Sequence, residues 1–140
     1  MPRVKIDLPP TFSFVTDIPL YSSHINASGH LDNAQLFFLV SEARERFLLD
    51  LGYTSTNIEG LSIILADAAV QYITEAFYGE VMRVAMTATD FNKRGCDFVY
   101  QVTDAATGRE VARGKSGVVF FDYTARKVGE VPPPFKARFD

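Results

Sequence analysis

The chain has 140 residues, 47% of them hydrophobic and 22% charged, with 12 Phe, 6 Tyr and no Trp. That is about one domain's worth of chain, apolar enough to bury a core, which excludes a disordered tail, a collagen-like chain and a low-complexity linker. The net charge of −3 offers no basic face to neutralise phosphates, so no nucleic-acid partner is expected.

The N-terminal MPRVKIDLPP lacks the apolar stretch of a signal peptide. TFSFVTDIPL (11–20) alternates and reads as a strand, with Pro19 at its end or at a sheet edge. The polar, small YSSHINASGHLDN that follows reads as a loop. Asp32 or Asn33 then supplies a helix N-cap, and Gln35 stands at capping-box spacing from Asp32. The helix runs through AQLFFLVSEARERFLLDL to Gly52, and its apolar residues cover more than one stripe, which predicts enclosure on most sides. Its Leu36–Val40 is the longest unbroken apolar run of the chain, far below the ~20 residues of a membrane span, so no membrane partner is expected.

LSIILADAAVQYITE (61–75) is apolar on both faces and predicts a central strand covered on each side. EVMRVAMTATDF (80–91) alternates, with Met82, Val84, Met86 and Ala88 on one face. After a turn at Asn92–Gly95, Phe98, Tyr100 and Val102 repeat the alternation, and 109–123 reads as a long last strand. VPPPFKARF cannot be a central strand, because its prolines lack ladder donors. The order predicts an α+β fold: one long buried helix on a curved antiparallel meander, over a single domain of residues 1–140. A doubly apolar strand with one covered face predicts a homodimer or homotetramer.

The residues least like structural filler are H-I-N-A-S-G-H-L-D-N, from His24 to Asn33, directly before the helix. Free backbone N–H groups at a helix N-terminus carry partial positive charge and can hold a carbonyl oxygen as it becomes an oxyanion. Gly29 allows close approach of a backbone or ligand. Both histidines of the chain are here, and either is suited to accept a proton near neutrality. No further ligand cluster joins His24, His30 and Asp32, so no metal and no cofactor is expected. Glu42 and Arg46 form an i,i+4 pair, whereas Arg44 has among its neighbours at such spacing Val40, Phe47 and Leu48, all apolar. It therefore needs an anionic or carbonyl partner, either a substrate group or a structural carboxylate such as Asp67. Lys93 and Arg94 stand at a hairpin tip, Tyr72 belongs to the core or an acyl pocket, and Cys96 has no histidine near it in sequence and reads as packing.

N-A-S-G-H-L-D-N at 26–33 and S-E-A-R-E-R-F-L-L-D-L-G at 41–52 follow a pattern D-x-D-x-x-G-H-x-x-N plus E-A-R, and the match continues through Ile63–Tyr72, Tyr78-Gly79-Glu80 and Gly117–Asp122. In this the chain resembles the hotdog-fold thioesterases of the 4-hydroxybenzoyl-CoA thioesterase type. The resemblance implies a helix wrapped by the sheet, an acyl-CoA site at a dimer interface, and phosphate contacts near Lys93 and Arg94. The chain departs from that pattern where the family places its carboxylate, since Asn26 replaces the second Asp and His24 the first. An amide cannot act as a general base or form an anhydride. A subset resembling the enediyne polyketide thioesterases also carries Asn there, with an Arg eighteen residues on, here Arg44.

By that likeness Asn26 and Arg44 position water or substrate, with His24 or His30 as base. The turn at Gly29–Leu31 holds the oxyanion, and Asn33, Asp67 and Tyr72 line the substrate site. The expected activity is hydrolysis of an acyl-CoA or acyl-carrier-protein thioester. The alternatives are a non-catalytic binder of such thioesters, or a hydratase or dehydratase. The latter's D-x-N-P-x-H loop is not matched, because position 25 is Ile and the proline is missing.

Overall fold

The computed structural model describes residues 3–140. Strand β1 (Phe14–Pro19) leads through a short 3-10 turn to helix α1 (Asn33–Asp50), followed by β2 (Ser62–Tyr72), β3 (Val81–Thr89), β4 (Gly95–Asp104) and β5 (Glu110–Asp122). A two-residue strand β6 (Lys127–Val128) and a one-turn helix α2 (Pro133–Lys136) close the chain. All pairings are antiparallel, in the order β1-β3-β4-β5-β2, with β6 on the end of β5.

α1 starts where its cap is strongest. The Asp32 carboxylate accepts from the Ala34 and Gln35 amides at 2.9 and 3.2 Å. The Asp32 amide donates to the His24 carbonyl, so the reciprocal half of the expected capping box is not used. Leu36, Leu39, Val40, Ala43, Phe47 and Leu48 point into the sheet and are at most 2% exposed, while Phe38 and Leu49 are more than 60% exposed. The expectation of a helix enclosed on most sides is thus corrected, because a single sheet covers one stripe and leaves the rest of an apolar helix bare. Arg46 pairs with Glu42 at 2.8 Å as expected, and also donates to the Thr16 hydroxyl and Asp17 carbonyl, which ties α1 to β1.

Met82, Val84, Met86 and Ala88 of β3 and Phe98, Tyr100 and Val102 of β4 are buried under α1, as their alternation predicts. The predicted four-strand meander holds only for β3-β4-β5. β2 does not pair with β3; the chain crosses from it to the far side of the sheet, and β2 becomes an edge strand beside β5. Leu65 is 52% exposed, so the expectation of a central strand with both faces covered is also corrected within the chain. An apolar run reports which faces avoid water, not which strands stand beside it.

The proline-rich tail forms α2, with prolines at its first positions, where a missing N–H costs nothing. Phe135 from this turn is fully buried against Phe98, Phe120, Phe91, Tyr53 and Phe139. Its ring sits at the end of the core where Phe47 of α1 meets Phe98 and Phe139. Phe135→Ala is expected to cost about 3–5 kcal/mol of stability, read as a lowered denaturation midpoint at unchanged m-value. A loss below about 1 kcal/mol would show the tail to be ornamental.

Candidate active site

The loop 24–33 is a built structure. Asn26 and His30 pair backbone to backbone, and the Asn26 side-chain oxygen accepts from the Ser28 amide at 3.0 Å. The turn needs Gly29 in the left-handed region at φ 88°, which only glycine adopts freely. An inventory of donors decides what is available here. The Ser28 and Gly29 amides serve Asn26, the Leu31 amide donates to Ala76 at 2.7 Å, that of Asp32 to His24, and those of Ala34 and Gln35 to the cap. Of Ser28–Gln35, only the His30 and Asn33 amides have no acceptor among the described residues. Gly29 and Leu31 therefore cannot offer their own N–H groups to an oxyanion. Asn33, the first residue of α1, offers one at the positive end of the helix dipole.

The two histidines separate by their hydrogen bonds. His24 Nδ1 lies 2.9 Å from the Tyr21 amide and accepts from it, and the ring stacks on Tyr21. Its only free ring nitrogen therefore carries the proton in the neutral form, and the residue serves the 3-10 turn. His30 Nδ1 lies 3.2 Å from the Leu31 carbonyl, which can only accept. That bond places the His30 proton on Nδ1 and leaves the Nε2 lone pair free, the tautomer a base requires.

A cavity of about 410 Å³ opens between this loop, the start of α1 and the segment after β2. Asn26, His30, Leu31, Asn33 and Tyr72, five of the residues singled out in sequence, line it together, with Leu36 and Val111 as apolar floor. The Asn26 amide nitrogen has no partner among the described residues, so its free end is a donor. Tyr72 donates to the Asn33 carbonyl at 3.1 Å, and burial, then the nearby Asp32 carboxylate, push its phenol above the ordinary value. Glu75 lines the cavity too and was not singled out in sequence; only the turn-back of the chain after Tyr72 brings it there, and no motif marks it. Arg109 holds this wall in place, donating to the Glu75 carbonyl and to Glu80 at 3.0 Å.

His24, Arg44, Asp67, Lys93 and Arg94 do not line the cavity. Arg44 donates to the Ser116 and Ser41 hydroxyls, each at 3.4 Å, and to no carboxylate among the described residues. Burial pulls its guanidinium below the ordinary value, against the raising effect of Glu45 and Tyr100. The expected structural partner Asp67 is on the other side of the sheet. A bulge between Leu65 and Asp67 turns that side chain away from α1, so that Asp67 stands opposite Gly117 and over it.

Lys93 and Arg94 hold the C-terminal segment, Lys93 pairing with Glu130 at 3.5 Å and Arg94 donating to the Gly129 carbonyl. Tyr72 pairs with Ala112 of β5 and Gly95 with Val119, seven residues further along. That separation is on the order of 23 Å, so within one chain these two bases stand at the far end from the cavity. Cys96 is buried, and burial pushes its thiol up to about 12, which makes it packing and not a nucleophile. Among the described residues, no helix is long and apolar enough to cross a membrane.

One long α-helix laid on an antiparallel sheet is the hotdog architecture. The model of the thioesterase-like superfamily matches residues 22–139, and the chain belongs to that family. Among solved structures, a 1,4-dihydroxy-2-naphthoyl-CoA thioesterase from Synechocystis superposes with a TM-score of 0.80 at 20% identity, over 89% of this chain and 93% of the other. A gentisyl-coenzyme A thioesterase gives 0.77 at 14% identity, over 88% and 99%. A Staphylococcus aureus protein solved in complex with CoA gives 0.80 at 15% identity, over 95% and 85%. At such identities the likeness establishes the hotdog fold. No curated protein matches the chain in sequence.

Proposed function

We propose that the protein hydrolyses the thioester of an acyl-CoA, with the chemistry placed at the start of α1. The observation that carries this reading is the pairing, on one cavity wall, of an acceptor-free amide at Asn33 with a histidine whose Nε2 lone pair is free. The thioester carbonyl lies against the Asn33 N–H and the helix dipole. Water, held by the donor end of Asn26, attacks the carbonyl carbon as His30 Nε2 takes its proton. The oxyanion collapses, the carbon–sulfur bond breaks, and His30 returns the proton to the departing thiolate. The products are a carboxylic acid and the free thiol. Asn26 thus acts as a donor to water, a role that an amide can fill and that does not need the carboxylate it replaces. Glu75 lines the same cavity and is the alternative base.

The uncovered β2 edge and the bare Phe38 on α1 support a second copy of the chain as partner, and the buried free thiol suits a reducing cytoplasm. An acyl carrier protein is the alternative thiol carrier.

The test is release of thiol from short, long and aromatic acyl-CoAs, trapped by a chromogenic disulfide. Turnover on at least one member is expected, falling at least about tenfold in Asn26→Ala. Binding of acyl-CoA without release from any member would instead make the protein a non-catalytic acyl-thioester binder.

A further inference from the structure

Tyr72 is the last residue of β2, and it reaches α1 only because of the bulge between Leu65 and Asp67. The inserted residue puts Ala68, Val70 and Tyr72 on the helix side of the sheet, paired with Ser116, Gly114 and Ala112 of β5. From there the phenol O–H donates to the Asn33 carbonyl at 3.1 Å, the one side-chain hydrogen bond between β2 and α1 among the described residues. Burial does not demand that bond. Tyr72 is 52% exposed, so water could serve its hydroxyl equally well.

The carbonyl it holds belongs to the residue whose own N–H has no acceptor among the described residues. The groups around that N–H are fixed one by one. On its N-terminal side the Leu31 amide donates to the Ala76 carbonyl at 2.7 Å, and the Asp32 amide to the His24 carbonyl at 2.9 Å. The Asp32 carbonyl, in the same peptide unit as the Asn33 N–H, accepts from Leu36 at 3.1 Å, and the Asp32 carboxylate holds the Ala34 and Gln35 amides. The bonds from Ala34, Gln35 and Leu36 lie within the first turn, so they would move with that turn if it frayed, as helix ends do. Tyr72 ties residue 33 itself to the sheet. Burial, then the Asp32 carboxylate, hold its phenol above the ordinary value, so it stays a donor throughout the neutral range in which a histidine base works.

We propose that Tyr72 is a positioning residue for the reaction: through the Asn33 carbonyl it fixes the direction of the Asn33 N–H, the donor that receives the oxyanion. A donor already aimed needs no reorganisation as charge develops on the carbonyl oxygen, whereas one free to turn must be brought into line at that moment. The edge strand β2 thereby sets the aim of a group on α1. This rests on the thioesterase reading above and adds to it a residue that acts through another.

The test is a double-mutant cycle read by single-turnover thioester cleavage. Tyr72→Phe keeps the ring and loses only the donor. In the otherwise unchanged protein it is expected to lower the cleavage rate about three- to tenfold with KM nearly unchanged. In an Asn33→Pro background, which has no N–H to aim, it is expected to lower the rate no further. Equal factors in the two backgrounds overturn the proposal, since a tyrosine that only packs against the acyl chain or supports the fold acts whether or not the amide is there. A second readout needs no turnover. The ¹⁵N order parameter of the Asn33 amide is expected to fall in Tyr72→Phe from the rigid-backbone value of about 0.85 to below about 0.7, and an unchanged value overturns the proposal as well. The pair of measurements separates this inference from the reading beneath it. A fall in Asn33 order without hydrolysis of any thioester sinks the thioesterase reading alone, and hydrolysis with equal factors and an unchanged order parameter sinks the role of Tyr72 alone.

Discussion

Asn33→Pro lowers kcat by about 10²–10³-fold while the protein keeps its fold; this is the expected result of deleting one oxyanion donor without deleting the helix. Proline suits the first position of a helix because the amide it lacks has no partner within the helix. Asp32, the residue before it, already has φ −68° and ψ 140°, the extended conformation that a following proline requires. The cap on Ala34 and Gln35 and the Tyr72 bond to the residue 33 carbonyl involve neither the lost N–H nor the lost side chain. Circular dichroism and a thermal midpoint check the fold, and single-turnover thioester cleavage reads the chemistry. Retained cleavage in a folded variant would move the oxyanion to the other spare amide, that of His30. An Asn33→Ala control, which keeps the N–H, is expected to lose far less.

His30→Asn is the second large effect, expected to reduce kcat by about 10²–10⁴-fold. The substituted amide nitrogen falls near the place of Nδ1 and can still donate to the Leu31 carbonyl, so the loop keeps its bond while the base at Nε2 disappears. His24→Asn is expected to cost activity far less, since that ring already spends its Nδ1 on Tyr21. Glu75→Gln is the informative companion. If it abolishes turnover and His30→Asn does not, the base is the Glu75 carboxylate of the same cavity.

The loop and helix were legible in sequence because their signals are local. Asp32 caps what it was expected to cap, and Gly29 sits at a positive φ. Alternation likewise identified the buried faces of β3 and β4. What failed was long-range or depended on counting. Nothing in the apolar run of β2 says that its neighbour is β5 and that its other edge is bare. The Arg44–Asp67 pairing failed by a single residue. Strict alternation puts Asp67 on the side of Ile63 and Leu65, facing α1, but the bulge at Ala66 inserts one residue and reverses the parity of everything from Asp67 onward. The same reversal brings Ala68, Val70 and Tyr72 to the α1 side. The site's donors also could not be told apart in sequence, since which amide or ring nitrogen is free depends on Tyr21 and Ala76, partners outside the motif.

Phe135 has a bearing on how the molecule comes into being. A chain made from its N-terminus completes α1 and the strands β1–β5 before residue 135 exists. Until then the rings of Phe98 and Phe120 border a vacant, oily socket large enough for a phenyl group. Until the C-terminal turn docks, the sheet and α1 leave this socket open and adhesive to other apolar surfaces. The last turn of chain acts as a latch that ends this exposed interval.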